Sequence, residues 1–256
     1  MEKVKLTFLG TGTSQGVPVI ACNCQVCQSG DARDKRLRSS VLLEVGNRNL
    51  VIDAGPDFRQ QMLTHRVQSL RAILLTHEHV DHIFGLDDIR SFNWVQRRPC
   101  DIYAEKRVQE AIRRIFDYVF AHWKYPGIPQ MELHDIDREP VFIDDIRVVP
   151  IRCYHYKLPV LGFRIGPVTY LTDVNHVPEA EKEKIRGSEI LVVNALRHEK
   201  HLSHFNLEEA LALSREIGAR QTYLTHISHA LGLHAEEQVR LPENVFLAYD
   251  GLQLTV

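Results

Sequence analysis

Ile73-Leu74-Leu75-Thr76-His77-Glu78-His79-Val80-Asp81-His82 is the stretch that decides how this chain is read. An apolar run with the look of a strand gives way at once to His-x-His-x-Asp-His. In a strand-end loop, two histidines two residues apart can point the same way and share one metal ion. Asp81 and His82 can then face a neighbouring ion. Imidazole and carboxylate are ligands that zinc, manganese and iron accept, and four of them within six residues is far above chance. A polar surface loop with scattered histidines is the weaker account, because so many exact types coincide just after an apolar strand.

One loop cannot complete two coordination shells, so distant ligands are expected. His155 follows an apolar run in Cys153-Tyr154-His155. Asp173 ends another in Thr172-Asp173-Val174, and His226 a third in Thr225-His226-Ile227. Taken singly, each reads as an ordinary loop residue or a hydrogen-bonded core polar. The recurrence of strand-then-ligand raises their weight, since loops at the ends of several strands can converge on one pocket. Asp173 suits a bridging carboxylate, whose two oxygens reach two ions about 3.5–4 Å apart.

Strand-like runs recur at 4–9, 41–45, 50–52, 72–75, 146–151, 168–171, 190–193, 221–224 and 245–248. Helical periodicity marks 107–120, and Asn206 and Gly218 bracket a helix over 206–217. Segments 57–64 and 236–241 are weaker helices. Strands and helices mix along the whole length, so one α/β (α+β) domain over 1–256 is expected. The consecutive strand pairs at 41–53 and 146–171 predict mixed sheets.

Composition excludes little but points one way. A chain of 256 residues with 44% hydrophobic and 25% charged residues can bury its own core. A net charge of −2 gives no whole-surface pull toward nucleic acid or anionic lipid. No apolar run approaches the ~18 residues of a membrane span, and the first ten residues read as a strand, so a cytoplasmic protein is expected. Five cysteines, three of them within residues 22–27, suit a metal site in a reducing compartment better than a disulfide framework.

The motif and its later single ligands resemble the metallo-β-lactamase superfamily, and the likeness covers essentially the whole chain from Gly10-Thr11-Gly12-Thr13-Ser14 onward. It implies a four-layer αββα sandwich of two mixed sheets with metals at one edge. It also implies that His77, His79 and His155 hold one ion, that Asp81, His82 and His226 hold the other, and that Asp173 lies between.

Cys22-Asn23-Cys24-Gln25-Val26-Cys27 offers three thiolates at a spacing that can wrap a tetrahedral zinc, with a distant histidine, His229 or His234, as fourth ligand. Buried or reactive thiols are the plainer alternative. Lone Cys100 and Cys153 read as packing residues. The cluster resembles that of the PhnP-type phosphodiesterase branch, associated with carbon–phosphorus lyase phosphonate breakdown, and the match prefers His229. Such a structural zinc would be closed and would not touch substrate.

Two adjacent divalent ions, Zn²⁺ or Mn²⁺, lower the pKa of a shared water to about 7 and offset phosphoryl charge. Protonating the departing alkoxide needs a further acid. His204, in Ser203-His204-Phe205-Asn206, is the candidate, with His201 its rival; the catalytic set expected here is His204 and Asp81. Asp53 either orients a metal histidine or caps the following helix. Arg197 reads as solvated. Gly10-x-Gly12-x₃-Gly16 has the wrong spacing for a dinucleotide fingerprint and reads as a turn passing close to other backbone. The aromatics over 116–129 read as ordinary core.

The activity expected is hydrolysis of a small phosphodiester, a cyclic ribose phosphate among the candidates. A tRNA 3′-processing nuclease resembling RNase Z is the second reading. The common form of that enzyme carries a tRNA-gripping arm between the third histidine and the bridging aspartate, where this chain has 17 residues. A non-phosphate hydrolase, a cofactor-biosynthesis protein or a non-catalytic binding fold follow. A small phosphorylated substrate, no membrane and no stable nucleic-acid partner are expected; a homodimer is suggested by resemblance alone.

Overall fold

The computed structural model describes residues 3–123 and 125–256. Met1 and Glu2, part of the opening read as a strand, lie outside it, as does Lys124. Among the described residues fourteen strands form two seven-stranded sheets. The first contains β1 (Val4–Gly10), β2 (Ser40–Val45), β3 (Arg48–Ile52), β4 (Ala72–Leu74), β5 (Cys100–Ala104) and β6 (Met131–Asp135). The second contains β7 (Val141–Ile143), β8 (Ile146–His155), β9 (Leu158–Ile165), β10 (Val168–Tyr170), β11 (Ile190–Asn194), β12 (Gln221–Thr225) and β13 (Val245–Leu247). A last strand, β14 (Gln253–Thr255), returns to the first sheet beside β1.

Each sheet begins antiparallel and ends parallel. Strands β1 to β3 pair antiparallel and β3 to β6 parallel. Strands β7 to β10 pair antiparallel and β10 to β13 parallel. The mixed sheets follow from the hairpins that the paired runs predicted, and the parallel parts from the helices between later strands.

Alternation along the strands makes the four layers. In β3, Leu50 and Ile52 join Phe8, Phe163 and Tyr170 between the sheets, while Val51 faces a second core with Ile73, Phe58 and Ile112. On the far side, Leu191 and Val193 of β11 pack with Leu213 and Ile217 of the helix Leu207–Ile217. That helix starts at a capping box of Asn206 and Glu209 and stops at Gly218 at φ 67°. Cys100 and Cys153 are buried packing residues, as expected.

Two expectations fail. The helix over 107–120 is two, Lys106–Ile115 and Asp117–Phe120. Phe116 leaves helical geometry (φ −107°, ψ 44°) and buries its side chain in the core outside the first sheet, which periodicity alone does not reveal. Of the aromatics over 116–129, Phe116 is core and Phe120 packs at its edge, but Tyr118, Trp123 and Tyr125 are exposed. No helix among the described residues is long and apolar enough to cross a membrane.

Candidate metal centre

Strands β3, β4, β8, β10, β11 and β12 send their C-terminal ends to one edge of the sandwich. Asp53 follows β3, the motif follows β4, His155 ends β8, and Asp173, His204 and His226 lie beyond β10, β11 and β12. They border a cleft of about 420 Å³ lined by Ser14, Glu78, His79, Val80, Asp81, His155, Asp173, His204 and His226.

Asp53, Asp173 and His226 all have positive φ, at 64°, 57° and 54°. Non-glycine residues take that region at a cost of order 1–3 kcal/mol, and such outliers gather at functional sites. Here each turns the chain sharply where a strand ends. Gly55 serves the same region by its lack of a side chain: a Cβ there would fall 1.9 Å from the Asp81 carbonyl oxygen.

The donors converge around Asp173. One of its oxygens lies 2.8 Å from His82 Nε2 and 3.5 Å from His77 Nε2; the other lies 2.8 Å from His226 Nδ1. Donor atoms of His77, His79 and Asp173 all lie within 4.8 Å of one another, and so do those of His82, Asp173 and His226. Asp173 is common to both groups, the placement a bridging carboxylate needs. Asp81 Oδ2 adjoins His82 Nε2 at 3.1 Å, and the His155 ring lies 5.2 Å from that of His79.

Behind the donors stands a layer that orients them. Asp53 Oδ2 is 2.7 Å from His82 Nδ1, and the Asp53 carboxylate accepts from the Thr76 backbone and hydroxyl. Thr76 Oγ1 in turn lies 3.0 Å from His77 Nδ1. The orienting reading of Asp53 therefore holds over helix capping, for Asp53 reaches one histidine directly and another through Thr76. His155 Nδ1 meets the Ser203 carbonyl at 2.8 Å, and His226 Nδ1 the Ser39 hydroxyl at 3.2 Å. Ser39 and the Ser203 carbonyl carried no sequence signal; nothing local distinguishes them.

The electrostatics ask for positive charge. Burial opposes a proton on His82, but Asp173, Asp53 and Asp81 together outweigh it and hold its pKa well above the usual range. Burial, joined by the His82 charge, drives His77 well below it. Asp53 is raised by burial despite His82 and Thr76. Burial also works against ionised Asp173, yet His226 and His82 hold that carboxyl well below the ordinary value. Buried carboxylates with inward imidazoles, of which His77, His82 and His155 are held by a protein partner on the outer nitrogen, fit divalent cations.

His204, 11% exposed, joins the cleft and His201 does not line it. Its ring stacks on His226 at 4.9 Å and meets His155 edge-on at 4.5 Å, with Nδ1 3.8 Å from Asp173. Burial, with the His226 charge adding, pushes it down to about 3. Arg197 stays at the surface, its Nε 3.4 Å from the Glu199 carbonyl.

The thiols form a second cluster. His229 Nδ1 lies 3.2, 3.4 and 3.4 Å from the sulfurs of Cys22, Cys24 and Cys27. His234 is turned instead to Arg36 Nη2 at 3.1 Å. The Cys27 backbone N–H donates to Cys24 Sγ, which brings the Cys24 thiol down to about 6, while burial raises Cys27 to about 11. Three sulfurs and one imidazole suit a closed tetrahedral zinc. The glycine turn passes between the two clusters: Gly12 bridges Arg38 and Ile227, and a Cβ on Gly10 would lie 2.0 Å from the Arg38 carbonyl oxygen. In a third group, Asp101, Glu132 and His134, the Asp101 carboxylate is already paired with Arg71 and Arg98.

A family model described as "Beta-lactamase superfamily domain" matches residues 48–227. An octanoyltransferase of Porphyromonas gingivalis is 41% identical over 99% of this chain, which covers 52% of that protein. The chain spans about half the length of the curated relatives it matches. A crystal structure of a diphosphatase from the PhnP family superposes with a TM-score of 0.94 at 37% identity, covering 99% of this chain and 97% of that one. Zinc-bound PqqB of Methylobacterium extorquens shares the fold, with a TM-score of 0.76 at 22% identity over 98% of this chain and 99% of its own. On its motif, sheets and convergent donors, the chain belongs to the metallo-β-lactamase superfamily, in its PhnP-like branch.

Proposed function

We propose that this chain hydrolyses a P–O bond in a small phosphate diester or diphosphate at a binuclear site. The observation that carries the reading is buried Asp173, which is common to two histidine groups, His77 with His79 and His82 with His226. His77, His79 and His155 would hold one ion, Asp81, His82 and His226 the other, and Asp173 both. The bound ions, Zn²⁺ or Mn²⁺, supply Lewis acidity toward phosphoryl oxygens and lower the pKa of water toward neutrality. Cys22, Cys24, Cys27 and His229 would hold a structural zinc remote from substrate.

The protein's own part is orientation and proton handling. Asp53 and Thr76 hold His82 and His77 so that each presents one nitrogen inward. His204 is neutral in the free protein and sits over Asp173, where it donates toward a phosphate oxygen. An anionic phosphate beside it restores the basicity that burial removes, and the protonated ring then serves the leaving oxygen.

A small substrate is favoured over tRNA because β9 and β10 fill the segment between His155 and Asp173, leaving no projecting arm there. A cyclic ribose phosphate fits the class, and so does the diphosphate named for the PhnP-family relative. The acyl transfer named for the longer Porphyromonas gingivalis relative is not assigned to this chain, which carries the histidine–carboxylate centre.

The test is metal removal and reloading with Zn²⁺ or Mn²⁺. Bis(p-nitrophenyl) phosphate, 2′,3′-cyclic nucleotides, a dinucleoside diphosphate and pre-tRNA would be assayed side by side. About three metals per chain with turnover of the small esters supports the proposal. Fewer than two metals, or cleavage of pre-tRNA alone, overturns it.

A further inference from the structure

The glycine turn after β1 reaches the cleft: Ser14 lines it and is exposed, while Gly12 and Gly16 on either side are buried. Every other lining residue belongs to the donor set, to the motif loop or is His204. Among the described residues no lysine or arginine lines the cleft. Apart from the metal side and His204, an anion there meets neutral donors.

The turn is fastened to the loop that carries His226. The Thr13 N–H donates to the Ile227 carbonyl at 3.2 Å, and the Ile227 N–H to the Thr11 carbonyl at 2.9 Å. Ser39 Oγ donates to the Gly12 carbonyl at 2.9 Å and lies 3.2 Å from His226 Nδ1. The Gly16 N–H closes the turn on the Thr13 carbonyl at 2.8 Å, with Gly16 at φ 66°, where a side chain is disfavoured. Arg38 Nε donates to the Ser14 carbonyl at 3.0 Å, and Arg38 Nη1 pairs with Asp57 at 2.9 Å. The Ser14 carbonyl is thus occupied, whereas neither its backbone N–H nor its hydroxyl has a partner among the described residues. A turn held at this many points keeps its free donors in place, so an arriving anion has little left to order.

We propose that Ser14 binds substrate: its hydroxyl donates to a non-bridging phosphoryl oxygen from the side of the cleft next to the His226 loop. The glycine pattern then serves the site. It lets the chain run close against the segment 36–38, for a Cβ on Gly12 would fall 2.9 Å from the Arg36 carbonyl oxygen. That close passage carries Ser14 to the cleft. A neutral hydroxyl holds the oxygen without the desolvation penalty of a buried cation. The inference rests on reading the site as a phosphate-ester hydrolase.

The test uses the metal-loaded protein with bis(p-nitrophenyl) phosphate and a dinucleoside diphosphate, and measures orthophosphate binding by calorimetry in parallel. Ser14→Ala should lower kcat/KM and weaken orthophosphate binding, each by about tenfold or more, the scale of one hydrogen bond to a charged oxygen. Ser14→Thr, which keeps the hydroxyl, should recover all but about threefold of either loss. Metal content and Tm should not move in either variant. Values within about twofold of the parent in Ser14→Ala overturn the contact and leave the hydrolase reading standing. Equal losses in Ser14→Ala and Ser14→Thr, or a loss of bound metal, do the same, because they mark a turn that only supports the fold. Failure of the intact protein to cleave either ester overturns the hydrolase reading and the contact with it.

Discussion

The segment Thr225-His226-Ile227-Ser228-His229 serves both ligand clusters, yet the two are built in opposite ways. The thiol cluster takes three of its four donors from six consecutive residues and needs one distant partner, His229. Its Cys22 and Cys24 are both half-exposed. The histidine–carboxylate cluster takes one loop and three further strand ends, with His77, His82, Asp173 and His226 all buried. A short loop can gather thiols at small entropic cost and close round a metal largely by itself. Buried carboxylates can be brought together only by a fold already committed to the cation that offsets them. The first arrangement is suited to fastening, the second to chemistry.

Breaking the shared carboxylate should separate the clusters most sharply. Asp173→Ala is expected to lower turnover by about 10³-fold or more, since both ions lose a common ligand. Metal analysis should show the thiol-site zinc retained. Loss of all bound metal in this variant would mean that the clusters are not independent.

The orienting layer should matter next. Asp53→Asn keeps size but weakens the hold on His82 and, through Thr76, on His77. The expected cost is about 10–100-fold in metal affinity or activity, read by metal titration and by kcat. A neutral result would place His82's orientation in the strand ends alone.

On the fastening side the effect should fall on stability. His229→Ala should release one zinc and lower Tm by about 4–8 °C, the equivalent of about 2 kcal/mol for a chain of this size. Once the remaining sites are loaded, kcat should stay within about threefold of the parent. A large loss of kcat with unchanged Tm would reverse the roles assigned to the two clusters.

Much of the centre was legible because its donors are chemically rare and sit at strand ends. His77, His79, Asp81, His82, His155, Asp173 and His226 could be picked out by type and placement, and the structure brings them to one cleft. Less legible was everything whose role depends on backbone or on ordinary residue types. Ser39, Thr76 and the Ser203 carbonyl look like thousands of others until the fold sets them beside a histidine. Strands β5, β6, β7 and β14 passed unnoticed because they are short, as at Gln253–Thr255, or carry charge, as at Met131–Asp135, and β9 because Pro159 and Gly162 interrupt its apolar run. Tertiary pairing overrides weak propensity in such segments.

By itself the sequence determined the donor chemistry, the thiol spacing, the capped helix Leu207–Ile217 and the mixed α/β pattern. These depend on residue type and on neighbours a few positions away. Only the tertiary structure decided that His229 and not His234 meets the thiols, that His204 and not His201 enters the cleft, and that Asp53 orients His82. Such choices turn on a few ångströms between residues as much as 207 positions apart. That distance is set by how two sheets pack, and no local pattern encodes it.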